Sequence, residues 1–138
     1  MEKISTEYLL RCIETLEQSL VHLKKSEKGS IEYEMFRNSL VKGFEITLEQ
    51  SGKLLKKMLT PYFSSKKAVD QLTFKDVFRF AHKHGILNDV AVDRWFAYGD
   101  NRNSTAHDYG VAFAEETLKL AESLIEDAKE LEGLMNHD

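Results

Sequence analysis

The sequence predicts an all-α protein, an up-and-down helical bundle of four long helices plus one short helix. Three observations lead to this prediction. The 138 residues include one proline and seven glycines, so little in the chain interrupts helices. Apolar residues recur every three or four positions through most segments, which is the spacing of one helix face. The strict alternation of apolar and polar residues that marks half-buried strands is scarce.

Length and composition place the chain among ordinary globular proteins. With 42% hydrophobic and 30% charged residues, the chain is not typical of disorder, and we expect a single domain over residues 1–138. No apolar run approaches the roughly 20 residues of a bilayer span, and MEKISTEYLL lacks signal-peptide features. We therefore expect a cytoplasmic location and no membrane partner. Cys12 is the only cysteine, which excludes an intramolecular disulfide and a cysteine metal cluster.

Two long periodic stretches predict the first two helices. The first helix runs from about Ser5 to Lys25, and SEKGS at 26–30 forms a turn. The second runs from about Ile31 to Leu59, with Pro61 just beyond its end, where a helix cannot easily continue. Their predicted inner faces consist of Tyr8, Leu9, Cys12, Ile13, Leu16, Leu20 and Leu23, and of Met35, Phe36, Leu40, Phe44, Leu48, Leu55 and Met58.

A short helix is predicted next. It follows a connector at 61–72 that has room for one helical turn. Thr73 and Asp76 resemble a capping box with Asp in place of Glu, and such a box opens a helix. We expect this helix to run to His84, since Gly85 is a typical C-terminal stop.

Two further long helices complete the predicted bundle. Asn88 or Asp89 caps the first of them, which runs into the polar stretch RNSTAHDYG and ends near Gly110. The last helix runs from about Val111 to Met135. Their apolar faces consist of Val92, Trp95 and Phe96, and of Phe113, Leu118, Ala121, Leu124, Ile125, Ala128 and Leu131.

Charge is unevenly distributed along the chain. Up to Gly85 there are fifteen Lys and Arg against eleven Asp and Glu, whereas from Ile86 onwards there are four against twelve. The net charge of −4 argues weakly against a general nucleic-acid binder but allows a local basic face. Lys53, Lys56 and Lys57 form such a face at i, i+3 and i+4 of the second helix. This face either contacts RNA phosphates or is simply a solvated helix surface.

The stretch RNSTAHDYG, from Arg102 to Gly110, concentrates polar side chains between apolar flanks. We call this stretch the polar block. On a helix Arg102 and His107 lie about 140° apart and flank a broad surface. Arg supplies a permanent cation for phosphate and His moves protons near neutral pH, so the pair suffices for RNA cleavage without a metal. Asn103 would orient the substrate or the imidazole, and Tyr109 offers a modifiable phenol. A polar helix end with internal hydrogen bonds accounts for the same residues without any function.

Other chemistries find little support in the sequence. His82 and His84 lie two residues apart, so on a helix they point to different faces. The chain contains no HExxH metal motif, no phosphate-binding loop and no serine nucleophile elbow. We therefore expect neither a metal nor a cofactor.

The polar block and its surroundings resemble those of HEPN-domain proteins. R-N-S-T-A-H-D-Y is similar to the R-x4-H-x-Y motif of the HepT type. Together with RNSLVKGFEITLEQSGKLLKK (37–57), DNRNSTAHDY (100–109) and the helix that follows, it resembles the nucleotidyltransferase substrate-binding proteins, an HEPN branch. The likeness covers nearly the whole chain in helix order and length. The sequence departs from this pattern at Ser51–Gly52, where an aromatic residue often stands.

The resemblance implies an HEPN-like homodimer, with the Arg/His segments of two subunits facing one cleft. It also implies a small nucleotidyltransferase, encoded nearby, as partner. HepT-type proteins are ribonuclease toxins, and the nucleotidyltransferase antitoxin transfers AMP to the motif tyrosine. By this resemblance Arg102 and His107 are catalytic, Asn103 is supportive and Tyr109 accepts AMP. The alternative is a non-catalytic substrate-binding subunit in complex with the nucleotidyltransferase. A purely structural bundle would leave the polar block without a purpose.

Overall fold

The computed structural model describes residues 4–104 and 111–135, and the fold class predicted from the sequence is confirmed there. Within these two ranges the chain forms six α-helices, a single 3₁₀ turn and no strand. The helices are α1 Glu7–Lys25, α2 Ile31–Leu59, α3 Lys66–Asp70, α4 Phe74–Lys83, α5 Asp89–Ser104 and α6 Val111–Met135, and the 3₁₀ turn is Thr60–Tyr62. The connector at 61–72 thus contains the expected helical turn as α3.

The four long helices α1, α2, α5 and α6 alternate in direction, which is the predicted up-and-down order. Contacts of α1 with α2, of α1 with α6 and of α5 with α6 each pair rising residue numbers with falling ones. The pairs are Leu16 with Gly43 and Ser19 with Ser39, Thr6 with Glu132 and Lys24 with Glu122, and Arg94 with Asp127 and Asn101 with Thr117. The short helix α4 packs against both α2 and α5.

Aromatic residues join the second pair of helices to the first. The rings of Phe78 on α4 and Trp95 on α5 stack with their centroids 4.8 Å apart. Tyr98 of α5 meets Phe44 of α2 edge to face at 6.1 Å. All four rings are at most 2% exposed, so α5 is anchored from two sides by large apolar contacts. No helix among the described residues is long and apolar enough to cross a membrane.

Two residues assigned to the apolar faces are instead exposed. Tyr8 is 57% exposed and Met35 is 61% exposed, whereas Leu9 is buried and Phe36 is partly buried. Each of the two corrected residues comes one position before an inward-facing neighbour. One position turns an α-helix by about 100°, which moves both side chains to the edge of the packed face.

The helix ends differ slightly from the predicted ones. Helix α1 begins at Glu7, two residues after the predicted start at Ser5. Thr6 precedes the helix, and its hydroxyl donates to Glu132 of α6 instead of capping α1. Asn88 caps α5, because its Oδ1 accepts a hydrogen bond from the Ala91 N–H at 2.8 Å. The predicted helix end near Gly110 lies outside the described residues, which leave α5 at Ser104.

The capping box at the start of α4 is confirmed. The Thr73 hydroxyl accepts from the Asp76 N–H at 3.2 Å, and Asp76 Oδ2 accepts from the Thr73 N–H at 3.4 Å. Asp76 also accepts from Arg79. Hydrogen bonds from Thr73, with a smaller contribution from Arg79, hold the pKa of the Asp76 carboxyl below its usual value. The box therefore fixes where α4 begins, and with it the position of Phe74.

We expect Asp76→Asn to lower the free energy of unfolding near neutral pH, but less so in acid. Because the folded pKa of Asp76 is lowered, its carboxylate stabilises the fold above its unfolded pKa of about 3.9. That contribution is lost as the pH falls through the folded pKa. Urea titrations of both proteins at about pH 7 and about pH 3 test this linkage. An unchanged difference between them at the two pH values would contradict it.

Candidate functional site

The polar block begins on a helix that is fixed against α6 by a buried carboxylate. Asp127 of α6 is 6% exposed and accepts two hydrogen bonds from the Arg94 guanidinium, at 2.9 and 2.8 Å. It also accepts from the hydroxyl of Tyr98, which contacts Ser123 as well. Arg94 and Tyr98 are one turn apart on α5. The three groups therefore fix the position of α5 along α6 and the rotation of α5 about its own axis.

The protonation of this cluster is fixed by its surroundings. Burial and the hydrogen bond to Asp127 raise the pKa of Tyr98 well above its ordinary value. Its hydrogen bonds to Asp127 raise the pKa of Arg94. Tyr98 consequently stays a hydroxyl donor and Arg94 a cation across the physiological range. One turn further on, Asn101 donates from Nδ2 to the Thr117 hydroxyl at 3.0 Å. The polar contacts between α5 and α6 therefore continue to the start of the block.

Phe74, the first residue of α4, lies in a slot between two glycines. A Cβ atom placed on Gly99 of α5 would lie only 2.8 Å from Phe74 Cε2, and one placed on Gly52 of α2 would lie 3.4 Å from its Cδ1. A side chain at Gly99 would overlap the ring, so glycine lets the ring approach the α5 backbone. The ring also packs against Phe78, with centroids 4.8 Å apart. Three helices thus meet around Phe74.

Arg102, the first residue of the block, lies on this ring. The guanidinium carbon is 4.9 Å from the centroid of Phe74, which is within the range of a cation–π contact. Arg102 is partly buried, whereas its neighbour Asn103 is exposed. His107 and Tyr109 lie outside the described residues. The structure therefore fixes the Arg102 end of the predicted Arg/His site and leaves the other end as a prediction.

The predicted lysine patch on α2 divides into two kinds of residue. Lys53 and Lys57 are exposed. Lys56 is partly buried, and its Nζ donates to the backbone oxygen of Asp70 at the end of α3, 3.3 Å away. Lys56 thus takes part in holding the connector, while Lys53 and Lys57 remain as predicted phosphate contacts.

A second group of cations lies beside the block and was not predicted. Phe96 of α5 lies beneath Lys75 and Arg79 of α4, at 5.3 and 5.2 Å from the ring centroid. Lys75 also pairs with Asp100 at 2.9 Å, and Arg79 pairs with Asp76. These carboxylates neutralise part of the basic charge, so this group forms a mixed surface rather than a purely basic one.

The two histidines at the end of α4, His82 within the helix and His84 just after it, have local partners. His82 pairs with Asp89 at the start of α5, and His84 stacks on Tyr62 with centroids 4.0 Å apart. As expected from their spacing, they serve different contacts. Among residues 4–104 and 111–135 no group of three or more His, Cys, Asp or Glu side chains is arranged to hold a metal ion.

Sequence reasoning missed Phe74, although a signal for it was present. Gly99 interrupts a strongly helical pattern, and an isolated glycine inside a helix often marks a close approach. Gly52 gave a similar signal, as the position where an aromatic residue of the family is replaced. In the structure an aromatic ring does lie against Gly52, but it comes from α4.

We expect Gly99→Ala to destabilise the protein by about 1 kcal/mol, although alanine is the better helix former, because the methyl group would displace the Phe74 ring. Gly133→Ala is the matched control, since nothing lies within 4 Å of its Cβ position. That substitution should leave stability unchanged or raise it by up to about 1 kcal/mol. Urea denaturation of both variants measures the difference. Equal effects at the two positions would show that the slot is not tight.

Comparisons with known proteins identify a family and a curated relative of the chain. A family model described as nucleotidyltransferase substrate binding protein like matches residues 7–137. A curated relative from Haemophilus influenzae, named Probable ribonuclease HepT, is 28% identical over 112 residues, which are 78% of this chain and 75% of the relative.

Two solved structures share the fold. One, from Haemophilus influenzae, is described as revealing the fold of a substrate binding domain of a nucleotidyltransferase. It has a TM-score of 0.81 at 23% identity and covers 96% of this chain and 100% of its own. The other, from Thermus thermophilus, has a TM-score of 0.67 at 23% identity and covers 88% and 99%. The name of the matching family implies association with a nucleotidyltransferase. With a match over residues 7–137, the chain belongs to the nucleotidyltransferase substrate-binding protein-like family.

Proposed function

We propose that this protein is a metal-independent endoribonuclease of the HepT type that acts as the partner of a small nucleotidyltransferase. The observation that carries the proposal is the placement of Arg102. This residue opens the R-N-x3-H-x-Y block at the end of a helix whose rotation is fixed by the bonds of Arg94 to the buried Asp127 carboxylate, with the Arg102 guanidinium on an aromatic ring. The relative named Probable ribonuclease HepT supports the same reaction, and family membership supports a nucleotidyltransferase as the partner.

The reaction needs one group that moves protons and one that stabilises charge. A ribose 2′-hydroxyl attacks the adjacent phosphorus, and the bond from phosphorus to the 5′-oxygen breaks. The products are a 2′,3′-cyclic phosphate and a 5′-hydroxyl. Arg102 stabilises the negative charge that builds up on the phosphoryl oxygens, and His107 transfers the proton of the attacking or the leaving oxygen. Asn103, exposed beside Arg102, orients the substrate.

The RNA path extends beyond a single subunit. Two copies of the chain face each other across one cleft in the proposed homodimer, so that each contributes an Arg102 and a His107. Of the predicted patch on α2, the exposed Lys53 and Lys57 supply phosphate contacts, while Lys56 holds the end of α3 through the Asp70 backbone oxygen. The binding should therefore weaken as salt concentration rises.

Adenylylation of Tyr109 regulates the proposed ribonuclease activity. The nucleotidyltransferase moves AMP from ATP to the tyrosine oxygen, with release of pyrophosphate. AMP brings a negative phosphate into the same block as Arg102, seven residues away in the sequence. Such a charge competes with RNA phosphate for the guanidinium and inactivates the ribonuclease.

The test is RNA cleavage in the presence of a chelator. Wild-type protein, shown by intact mass to carry no AMP, is incubated with a labelled RNA, and the ends of the products are identified. The Arg102→Ala/His107→Ala double variant, purified in parallel, reports contaminating nuclease. We expect cyclic phosphate ends from the wild type alone. Added nucleotidyltransferase and ATP should stop cleavage by the wild type and leave Tyr109→Phe active.

The alternative function is a non-catalytic binding subunit, which the name of the family favours. In that case the block is a docking surface for the nucleotidyltransferase. Unmodified wild-type protein would cleave no RNA but would form a stable complex with the partner and change its activity. Substitution of Arg102 would then weaken the complex instead of an RNA reaction.

A further inference from the structure

We propose that Phe74 is a positioning residue for Arg102, so that the site begins on α4 as well as on α5. The inference rests on the proposed function, because it assigns Arg102 a role in RNA cleavage. Its basis is the packing described above, in which the Phe74 ring lies between the glycines of α2 and α5 and contacts the guanidinium at 4.9 Å.

The slot at Gly99 and the guanidinium of Arg102 both lie against the Phe74 ring. Gly99 and Arg102 are three residues apart on α5 and therefore lie on neighbouring parts of one helix face. The glycine admits the ring, and the ring then meets the arginine one turn later. A residue with a Cβ atom at position 99 would push Phe74 away from the helix and from Arg102.

Other residues fix the positions of the two helices that carry Phe74 and Arg102. On α4, the capping box of Thr73 and Asp76 fixes the residue at which the helix begins, which is Phe74. On α5, the bonds of Asp127 to Arg94 and Tyr98 fix the rotation of the helix that carries Arg102. The contact is thus set by two rigid elements rather than by the long arginine side chain itself.

An aromatic ring is a suitable support for a catalytic guanidinium. It attracts the cation through its face, while the contact adds no negative charge that would offset the guanidinium. A carboxylate in the same place would hold the arginine more strongly but would compete with the RNA phosphate. The ring also limits the rotamers of the long arginine side chain, and such positioning is worth a large factor in rate.

The first experiment compares RNA cleavage by Phe74→Leu with that by Phe96→Leu. Phe96 is the matched control, since it too lies beneath a guanidinium, that of Arg79, and is partly buried. We expect Phe74→Leu to lower kcat by about tenfold or more with little change in KM, and Phe96→Leu to stay near wild type. Phe74→Tyr, which keeps the ring, should retain most of the activity. Thermal denaturation of each variant ensures that kcat is measured on folded protein.

A double-mutant cycle separates positioning from a general structural effect. If Phe74 acts through Arg102, the Phe74→Leu substitution lowers kcat no further in an Arg102→Ala background. A further tenfold loss in that background would overturn the inference, as would an active Phe74→Leu enzyme.

A second readout needs no RNA and so keeps this inference distinct from the proposed function. The side-chain NMR signal of Arg102, assigned by its absence in Arg102→Lys, should carry a ring-current shift. We expect the shift to vanish in Phe74→Leu and persist in Phe96→Leu. A shift that Phe74→Leu leaves in place would overturn the inference even if RNA is cleaved. A shift that vanishes in Phe74→Leu, when the wild-type protein has no ribonuclease activity, would support the contact and refute the ribonuclease.

Discussion

Asp127→Ala is expected to lower the free energy of unfolding by about 2–3 kcal/mol, a larger stability effect than that of Gly99→Ala or Asp76→Asn. The carboxylate is 6% exposed and receives three hydrogen bonds from α5, two from Arg94 and one from Tyr98. Its removal takes the carboxylate away from the buried Tyr98 hydroxyl, which keeps its contact with Ser123, and from the Arg94 guanidinium. The cost comes from the lost charge-assisted hydrogen bonds and from the buried hydroxyl, because the Arg94 side chain is 40% exposed and water can reach it.

The measurement is urea denaturation of Asp127→Ala beside two controls. Glu126→Ala removes an exposed carboxylate from the adjacent position of α6 and should change stability by less than about 0.5 kcal/mol. Tyr98→Phe removes one of the three hydrogen bonds and should cost about 1 kcal/mol. If Asp127→Ala and Glu126→Ala were equally stable, the packing of α5 against α6 would not depend on the Asp127 carboxylate.

The bundle could be predicted from the sequence because its signals are local. Helix periodicity, Pro61, Gly85 and the Thr73–Asp76 box each act within one or two turns, and the bounds of α1, α2 and α4 lie within two residues of the predicted ones. Tyr8 and Met35 were misplaced because each lies at the edge of an apolar face, where the neighbouring helix decides whether it is covered. That information is not present in a single helix.

The interior of the site was harder to predict because it depends on pairs that are distant in sequence. Asp127 stands among Leu124, Ala128 and Leu131 on the apolar face of α6, and a carboxylate in that position signals a buried partner. The sequence offers several cations, and only the packing of α5 on α6 selects Arg94. Phe74 likewise meets Arg102 across 28 positions, because α4 and α5 pack side by side.

Arg102→Ala is expected to lower kcat for RNA cleavage by about 10²–10³-fold while the protein remains folded. In the proposed reaction the guanidinium stabilises charge that appears on the phosphoryl oxygens only in the transition state, so its loss should affect kcat more than KM. Arg102→Lys should recover part of the rate. Lysine keeps the positive charge, but it lacks the planar fork that suits two hydrogen bonds to one phosphate.

Arg79→Ala is the control that separates this role from a general effect of basic charge. Arg79 is also a guanidinium over an aromatic ring, that of Phe96, but it lies on α4, outside the block. Its removal should leave kcat within about twofold of wild type, since an exposed ion pair contributes little. Equal losses for Arg79→Ala and Arg102→Ala would mean that the surface attracts RNA without a specific catalytic arginine. A loss confined to Arg102, with a normal melting temperature, would instead locate the chemistry at the end of α5, where Asp127 and Phe74 together hold it.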